Sequence, residues 1–352
     1  MSIRPIYGHL SLLNRLGGVL ASSRFPQAAL LVGPPGVGKQ RLALWVAQGL
    51  LCEGGPGAPC GTCVACRQVA GLGHPDLHWF VPIPRPKAGD PAKQLEEAEE
   101  LLGQAMAERR VEGLWTRPEG LVSHSLASVR LLSRRAWVTP FAGDRKVFVL
   151  GDAERLVVQE SSQEAANALL KLLEEPPADT TLILTAADPH ALLPTIRSRL
   201  VAIRVQRVAD EDVRAFLRQE VDSPLDDAVL ERRTLLAEGC IGRALREVDE
   251  AEGPDRAAAE FLEAVRDDPA KWLPLVLSQQ PYAARGEFTG MLDALAVKLR
   301  DELREESGRS REGTKRRMKA LRRVEATRAA AQGNANPQLA LAVLAEELGE
   351  LL

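Results

Sequence analysis

Two clusters of residues carry the chemistry of this chain. The first reads Gly33-Pro-Pro-Gly36-Val-Gly38-Lys39-Gln40. Gly33, Gly38 and Lys39 fall on the G-x-x-x-x-G-K spacing of a phosphate-binding loop. Glycines let backbone N–H groups turn toward one anion, and a helix N-terminus behind them adds partial positive charge. Lys39 would reach the outer phosphates. The next position normally carries Ser or Thr, whose hydroxyl holds Mg²⁺, but here it is Gln40. The loop therefore follows the phosphate-binding plan with its metal contact missing. The second cluster is Cys52, Cys60, Cys63 and Cys66. The last three stand at C-x-x-C-x-x-C spacing, and Cys52 can fold back to them across the Gly/Pro-rich stretch Gly54 to Pro59. Four thiolates suit a closed tetrahedral Zn²⁺ site. The same set also suits an iron–sulfur centre. Zinc fits better because nothing else in the chain points to redox work. A closed Cys₄ site has no open position, so its expected role is structural. Cys240 is not expected among its ligands.

The elements that must position these clusters follow from the hydrophobic pattern. Ala28 to Val32 is an apolar run of strand length that leads straight into the glycines, and Leu42, Val46 and Leu50 mark one face of a helix after them. Leu77 to Val81, Val147 to Leu150, Leu182 to Leu184 and Val201 to Val205 read as further buried strands. The helices between them fall at about 8–22, 129–137, 165–175 and 192–199. Alternation of strands and helices implies a parallel sheet covered on both faces. The stretch 82–119 changes character: an extended Pro82-Ile-Pro-Arg-Pro86 is followed by a charged helix, Lys93 to Arg110, with Leu95, Ala98, Leu102 and Met106 on one side. It reads as an insertion. After about Val208 the pattern is wholly helical, with helices expected at Glu211–Leu217, Leu225–Ala237 and Ile241–Ala251, then a larger helical region to Leu352.

Composition narrows the class. With 352 residues the chain is long enough for two or three domains, and 45% hydrophobic with only 4% aromatic residues means an aliphatic core. A net charge of −3 argues against a strongly electrostatic nucleic-acid binder as a whole. Between Cys52 and Cys66 there is no Lys, Arg or aromatic residue, which weighs against a zinc-dependent nucleic-acid module. No apolar run approaches a membrane span and no signal peptide is apparent, so a cytoplasmic protein without membrane contact is expected.

Several stretches together resemble one family, the clamp-loader AAA+ proteins, and among these most closely the delta-prime type of subunit in bacterial DNA polymerase III. The matching pieces are the phosphate loop, the four cysteines, His74-Pro-Asp76, and Lys146-Val-Phe-Val-Leu-Gly-Asp-Ala-Glu154. They continue with Ala166-Asn-Ala-Leu-Leu-Lys-Leu-Leu-Glu-Glu-Pro-Pro177, Leu193-Pro-Thr-Ile-Arg-Ser-Arg199 and Asn334-Ala-Asn-Pro-Gln-Leu339. The resemblance spans nearly the whole chain apart from the insertion. It implies an α/β AAA+ domain at 1–207, with a zinc module at 52–66, a small helical lid at 208–253 and an all-α collar at 254–352. It implies assembly with gamma/tau-type and delta-type subunits into a hetero-pentamer that opens a sliding clamp and places it on primer-template DNA.

The same resemblance shows what is missing. Alignment with the motor subunits puts Gly151 where the metal-contacting aspartate belongs and Asp152 at the water-orienting glutamate. The γ-phosphate sensor falls near Thr185-Ala186-Ala187, and the lid's sensing arginine falls at Gly242, with Arg243 about 100° away on a helix. One lost electrostatic group commonly costs about 10²–10³-fold in rate. The expected subunit is therefore non-hydrolysing, with at most weak binding of ATP or ADP through Lys39. An active gamma/tau-type ATPase is the alternative, and Gln40 and Gly151 speak against it. Arg199 stands where the family carries the arginine of Ser-Arg-Cys, an arginine finger acting in trans on a neighbour's ATP. Arg197 lies two residues away. The basic stretch from Arg309 to Arg323 is expected to be a solvated helix face.

Overall fold

The computed structural model describes residues 5–55, 57–112, 122–156, 164–221, 225–245, 248–267, 269–279, 287–306, 310–332 and 335–352. Two compact units divide the chain, Met1–Leu245 and Arg246–Leu352. The first unit holds strands β1 (Ala28–Val32), β2 (Leu77–Phe80), β3 (Ile83–Pro84), β4 (Val122–Ser123), β5 (Lys146–Leu150), β6 (Thr180–Ala186) and β7 (Val201–Arg204). Its helices are α1 (Leu10–Ala21), α2 (Lys39–Leu50), α3 (Val64–Ala70), α4 (Pro91–Glu112), α5 (Leu126–Ala136), α6 (Glu164–Glu174), α7 (Pro194–Arg197), α8 (Asp210–Glu220), α9 (Asp227–Ala237) and α10 (Ile241–Ala244).

Five strands pair in the order β2-β5-β6-β1-β7, every pair parallel. Leu30 of β1 lies beside Leu184 of β6 on one side and Ala202 of β7 on the other. All residues of β5 and β6 are buried, as expected for parallel strands covered on both faces. That is why they read as continuous apolar runs. The edge strand β7 keeps Val201 exposed. One apolar core joins the sheet to the helices around it, with Phe80, Phe148, Leu31, Leu42 and Leu169 fully buried. The expected parallel α/β sheet followed by helical regions is the observed fold class.

Several boundaries move for local reasons. Helix α5 starts three residues before the expected Val129, because Ser125 accepts from Ser128 N as its N-cap. The insertion is built on α4, whose Ala98 and Leu102 are buried. A short antiparallel ladder, Ile83–Ser123 and Pro84–Val122, brings the flanks of that insertion together. Part of the insertion, 113–121, lies outside the described residues. The helix expected over Ile241–Ala251 is divided: α10 ends at Ala244, and another helix begins at Val248.

Helices α8, α9 and α10 share a small core of Val213, Phe216, Leu217, Leu230, Ala237 and Ala244, against which Tyr7 packs. The Tyr7 and Phe216 rings meet edge-on at 5.4 Å. The second unit consists of α11 (Val248–Asp267), α12 (Pro269–Leu277), α13 (Glu287–Glu306), α14 (Arg311–Gln332) and α15 (Pro337–Gly349). The boundary expected at 253/254 falls inside α11. Asn336 caps α15 by accepting from Leu339 N, with Pro337 at the first helical position. The unit's own apolar core includes Phe261, Leu292, Leu295, Leu299, Leu341 and Leu344.

Phe148 sits in the middle of β5, fully buried, with its ring 4.6 Å from His78 and 6.4 Å from Phe80. Truncation there removes packing on both sides. Phe148→Ala is expected to lower stability by about 3–5 kcal/mol in chemical denaturation; a loss below about 1 kcal/mol would show that this ring is not central to the core.

Candidate functional site

The glycine-rich loop leaves the carboxyl end of β1, beside the carboxyl ends of β5 and β6. This is the edge of a parallel α/β sheet where ligands ordinarily bind. Gly33 donates its N–H to Ala186 O at 3.3 Å. A Cβ on Gly33 would stand 2.4 Å from Val205 O, so only glycine fits. Gly36 and Gly38 have φ of 80° and 102°, the left-handed region that favours glycine. Helix α2 then begins at Lys39.

Lys39 is 6% exposed. Its Nζ donates to Gly33 O at 2.8 Å and Pro34 O at 3.0 Å. Burial lowers its pKa, while the carboxylates of Glu154 and Asp152 pull it back up. The loop is also closed from outside. Gly242 N, at the start of α10, donates to Gly36 O at 2.8 Å, and His9 Nε2 donates to Val37 O at 2.9 Å. The loop's cation and four of its carbonyls thus have partners within the chain itself.

Gln40 and Gly151 come together. A Cβ on Gly151 would lie 3.0 Å from Gln40 Nε2 and 3.4 Å from Trp79 Nε1, so the Gln40 amide occupies the space into which a carboxylate at 151 would project. Beneath it, His124 is almost wholly buried and its Nε2 donates to Gly151 O at 2.7 Å. Burial holds the His124 pKa down to about 4, so the ring is neutral. Asp152 has φ 51°, and its N–H donates to Thr185 Oγ1 at 3.0 Å. The Thr185 hydroxyl is fully buried in that contact. Ala186 and Ala187 offer no polar side chain. Arg243 donates to Glu238 Oε2 at 2.7 Å.

Sequence reasoning missed Glu154. The turn Ala153–Leu156 brings its carboxylate into the site, where Oε1 accepts from Ala187 N at 3.1 Å. Its Oε2 is buried without a hydrogen-bond partner among the described residues. Burial, and then the charge of Asp152, push its pKa up. The only sequence signal was an acidic residue two positions beyond Asp152, and its inward direction comes from the tight turn.

Arg199 lies on the surface after α7. It donates to Glu174 Oε1 at 2.6 Å and to Thr195 O at 2.8 Å. Arg197 instead contacts His190 Nδ1 at 3.0 Å. Of the two, Arg199 is the more exposed, and its guanidinium is held by a surface ion pair of a kind usually worth about 0–1 kcal/mol.

The four cysteines converge. Their Sγ atoms all lie within 4.8 Å of one another. Cys52 and Cys63 are 4.0 Å apart, and Cys60 and Cys66 3.9 Å. Thiolates about 2.3 Å from a tetrahedral Zn²⁺ stand about 3.8 Å from each other, so the donor set fits the ion, whereas disulfide sulfurs would be about 2.05 Å apart. Cys63 caps α3 by accepting from Cys66 N, and Cys63 N points at Cys60 Sγ from 3.4 Å. Backbone donors hold the Cys60 thiol down, to about 6, which favours a thiolate ligand. Cys240, buried in the main core around the sheet, is not in the cluster. Purified protein is expected to carry about one zinc per chain by elemental analysis, and chelation should lower its melting temperature. Metal-free protein that is unmoved by a chelator would rule the site out.

Comparison with known proteins adds lineage to this geometry. The family profile described as "DNA polymerase III, delta subunit" matches residues 8–209. DNA polymerase III subunit delta' of Pseudomonas aeruginosa is 38% identical over 193 residues, 54% of this chain and 45% of that protein. The delta' subunit of Bacillus subtilis is 26% identical over 205 residues, 58% of this chain and 50% of that protein. The tau subunit of Escherichia coli is 27% identical over 250 residues, 70% of this chain and 32% of that protein. The chain thus spans about half the length of the delta' relatives it matches. Among solved structures, a DNA polymerase III gamma-subunit-related protein of Thermotoga maritima aligns with 96% of this chain and 99% of its own, at 17% identity and a TM-score of 0.45.

Proposed function

Because the chain belongs to the DNA polymerase III delta-subunit family, we propose that it is a delta-prime-type clamp-loader subunit without ATP turnover of its own. It would help load the sliding clamp onto primer-template DNA, as one member of a cytoplasmic hetero-pentamer with gamma/tau-type and delta-type partners. The observation that carries this reading is the meeting of Gln40 with Gly151. ATP hydrolysis on this fold needs a metal-held phosphate and a positioned water. Here the amide of one residue fills the place of the carboxylate expected from the other. The pairing of Lys39 with loop carbonyls supports the same conclusion, since an incoming phosphate has to draw the ammonium away from them.

The division of labour proposed is an AAA+ domain over 1–207, a lid over 208–253 and a collar over 254–352. Exposed apolar side chains on the collar helices support packing against neighbours. Leu339 is 67% exposed on α15 and Leu277 63% on α12. These helices are tied by Gln338 Nε2, which donates to Leu277 O at 3.1 Å and Gln279 O at 2.8 Å. Leu341 and Leu344 instead face inward. Asn334, the first residue of that motif, and Arg309 lie outside the described residues. The zinc module is proposed as a structural staple, and ATP or ADP as at most weakly held ligands of the loop.

The reading as an active gamma/tau-type subunit draws on the longer alignment with tau, 70% of this chain, and Gln40 and Gly151 oppose it. Steady-state phosphate release separates the two. The isolated chain is expected to show no turnover above background. Motor-like turnover that Lys39→Ala abolishes would replace the delta-prime reading with the gamma/tau one.

Arg199 is proposed as an arginine finger on ATP held by an adjacent subunit. A guanidinium is always charged and presents a planar donor fork, and such fingers contribute about 10³–10⁵-fold in other NTPases. Its exposed pairing with Glu174 is weak enough to be exchanged for a γ-phosphate. In a loader reconstituted with the other subunits, Arg199→Ala should assemble normally yet lower DNA- and clamp-stimulated ATPase at least tenfold. Wild-type stimulated ATPase in that assembly would exclude the role.

A further inference from the structure

Helix α14 carries eight basic and two acidic residues, and its charges are sorted by face. Arg317 lies 3.3 Å from Glu306 and 3.6 Å from Glu302, Arg323 lies 3.2 Å from Glu347, and Arg328 pairs with Asp293. Arg316 sits 3.9 Å from Glu312. The other four cations, Arg311, Lys315, Lys319 and Arg322, are exposed and make no ion pair among the described residues. They recur at steps of four, four and three, which puts them on one face of a helix. At about 100° per residue this face is opposite Ala320, Val324 and Ala331, the buried side that packs within the second unit.

We propose that this outward face of α14 binds the phosphate backbone of nucleic acid. Like charges one turn apart destabilise a helix, so an unneutralised row is unfavourable for folding unless an outside anion meets it. The row from Arg311 to Arg322 runs about 16 Å at 1.5 Å per residue. Duplex DNA presents about nine phosphates over that length, one per 1.7 Å of axis. The chemistry favours phosphate over an acidic protein surface. The face has no aromatic residue, two of its four cations are lysines, and lysine is depleted while aromatics are enriched in protein interfaces. Its single large apolar residue is Met318, and beyond Arg322 it continues into exposed Ala326 and Ala329, which let a strand come close. Such a contact is sequence-independent and adds to affinity and orientation. The proposal does not depend on the clamp-loader reading.

The test uses the full chain and a labelled random-sequence DNA duplex, with binding followed by fluorescence anisotropy across a salt series. Each neutralised phosphate adds about 0.9 to the slope of log affinity against log salt. Four contacts predict about a 10²-fold loss of wild-type affinity between about 50 and 200 mM salt. The combined variant Arg311→Gln, Lys315→Gln, Lys319→Gln and Arg322→Gln should flatten that slope by about 3–4. A control with Arg316→Gln and Arg323→Gln should keep it. If the combined variant does not fold, Lys315→Gln and Lys319→Gln singly should each remove about one from the slope. The proposal is overturned if wild type fails to bind the duplex, or if variant and wild-type slopes agree. It is equally overturned if the variant weakens assembly with other subunits and leaves duplex binding intact, since the face is then a protein contact.

Discussion

The buried ammonium of Lys39 is the interaction on which the site depends. A cation taken out of water is tolerated only if its hydrogen-bonding groups are matched. Here two carbonyls of the glycine-rich loop accept from it, and the carboxylates of Glu154 and Asp152 offset part of the burial cost. The loop therefore turns two of its own carbonyl dipoles onto the cation. That arrangement fixes the direction of α2, places Gln40 over Gly151, and leaves the helix N-terminus facing a site whose main cation is already engaged.

The same closure links the sheet to the small helical core. Gly36 lacks a Cβ, and a Cβ there would stand 3.1 Å from Arg243 N and 3.3 Å from Gly242. The bond from Gly242 N to Gly36 O thus needs glycine on the loop side and a close helix start on the other. The loop and the start of α10 therefore meet directly, through a backbone N–H of Gly242. His124 stabilises the far side by holding the Gly151 carbonyl, and its low pKa keeps that donor neutral across the physiological range.

The cysteine module and the insertion hang on this frame without entering the site. Cys52 follows directly on α2, so a metal held by the four thiolates would tie the end of the loop's own helix to α3. Gln48 reinforces that joint by donating to Cys66 O at 2.8 Å. On the other flank, Asp76 is buried and accepts from the backbone N–H groups of Phe141 and Ala142 at 2.6 and 2.7 Å. Lys146 reaches from β5 to the carbonyl of Val138 and to Asp179. These polar ties stabilise the long connections around β5 where apolar contact is sparse.

The sequence by itself determined the fold class, the phosphate-loop string and the cysteine set. Parallel strands buried on both faces leave uninterrupted apolar runs, left-handed backbone needs glycine at Gly36 and Gly38, and thiol ligands show in their spacing. Those signals are local, so a single segment carries them. Tertiary structure decided what the site is able to do. Gln40 reads only as a departure from a motif until β5 sets Gly151 beneath its amide. Glu154 gains a place in the site through a tight turn, and His124 through a ladder more than twenty residues away from β5. The four cations of α14 became distinct from Arg317, Arg323 and Arg328 only when Glu302, Glu306, Glu347 and Asp293 arrived from other helices to neutralise those three. Burial, pairing and pKa belong to arrangements of residues distant in the chain, and no local pattern encodes them.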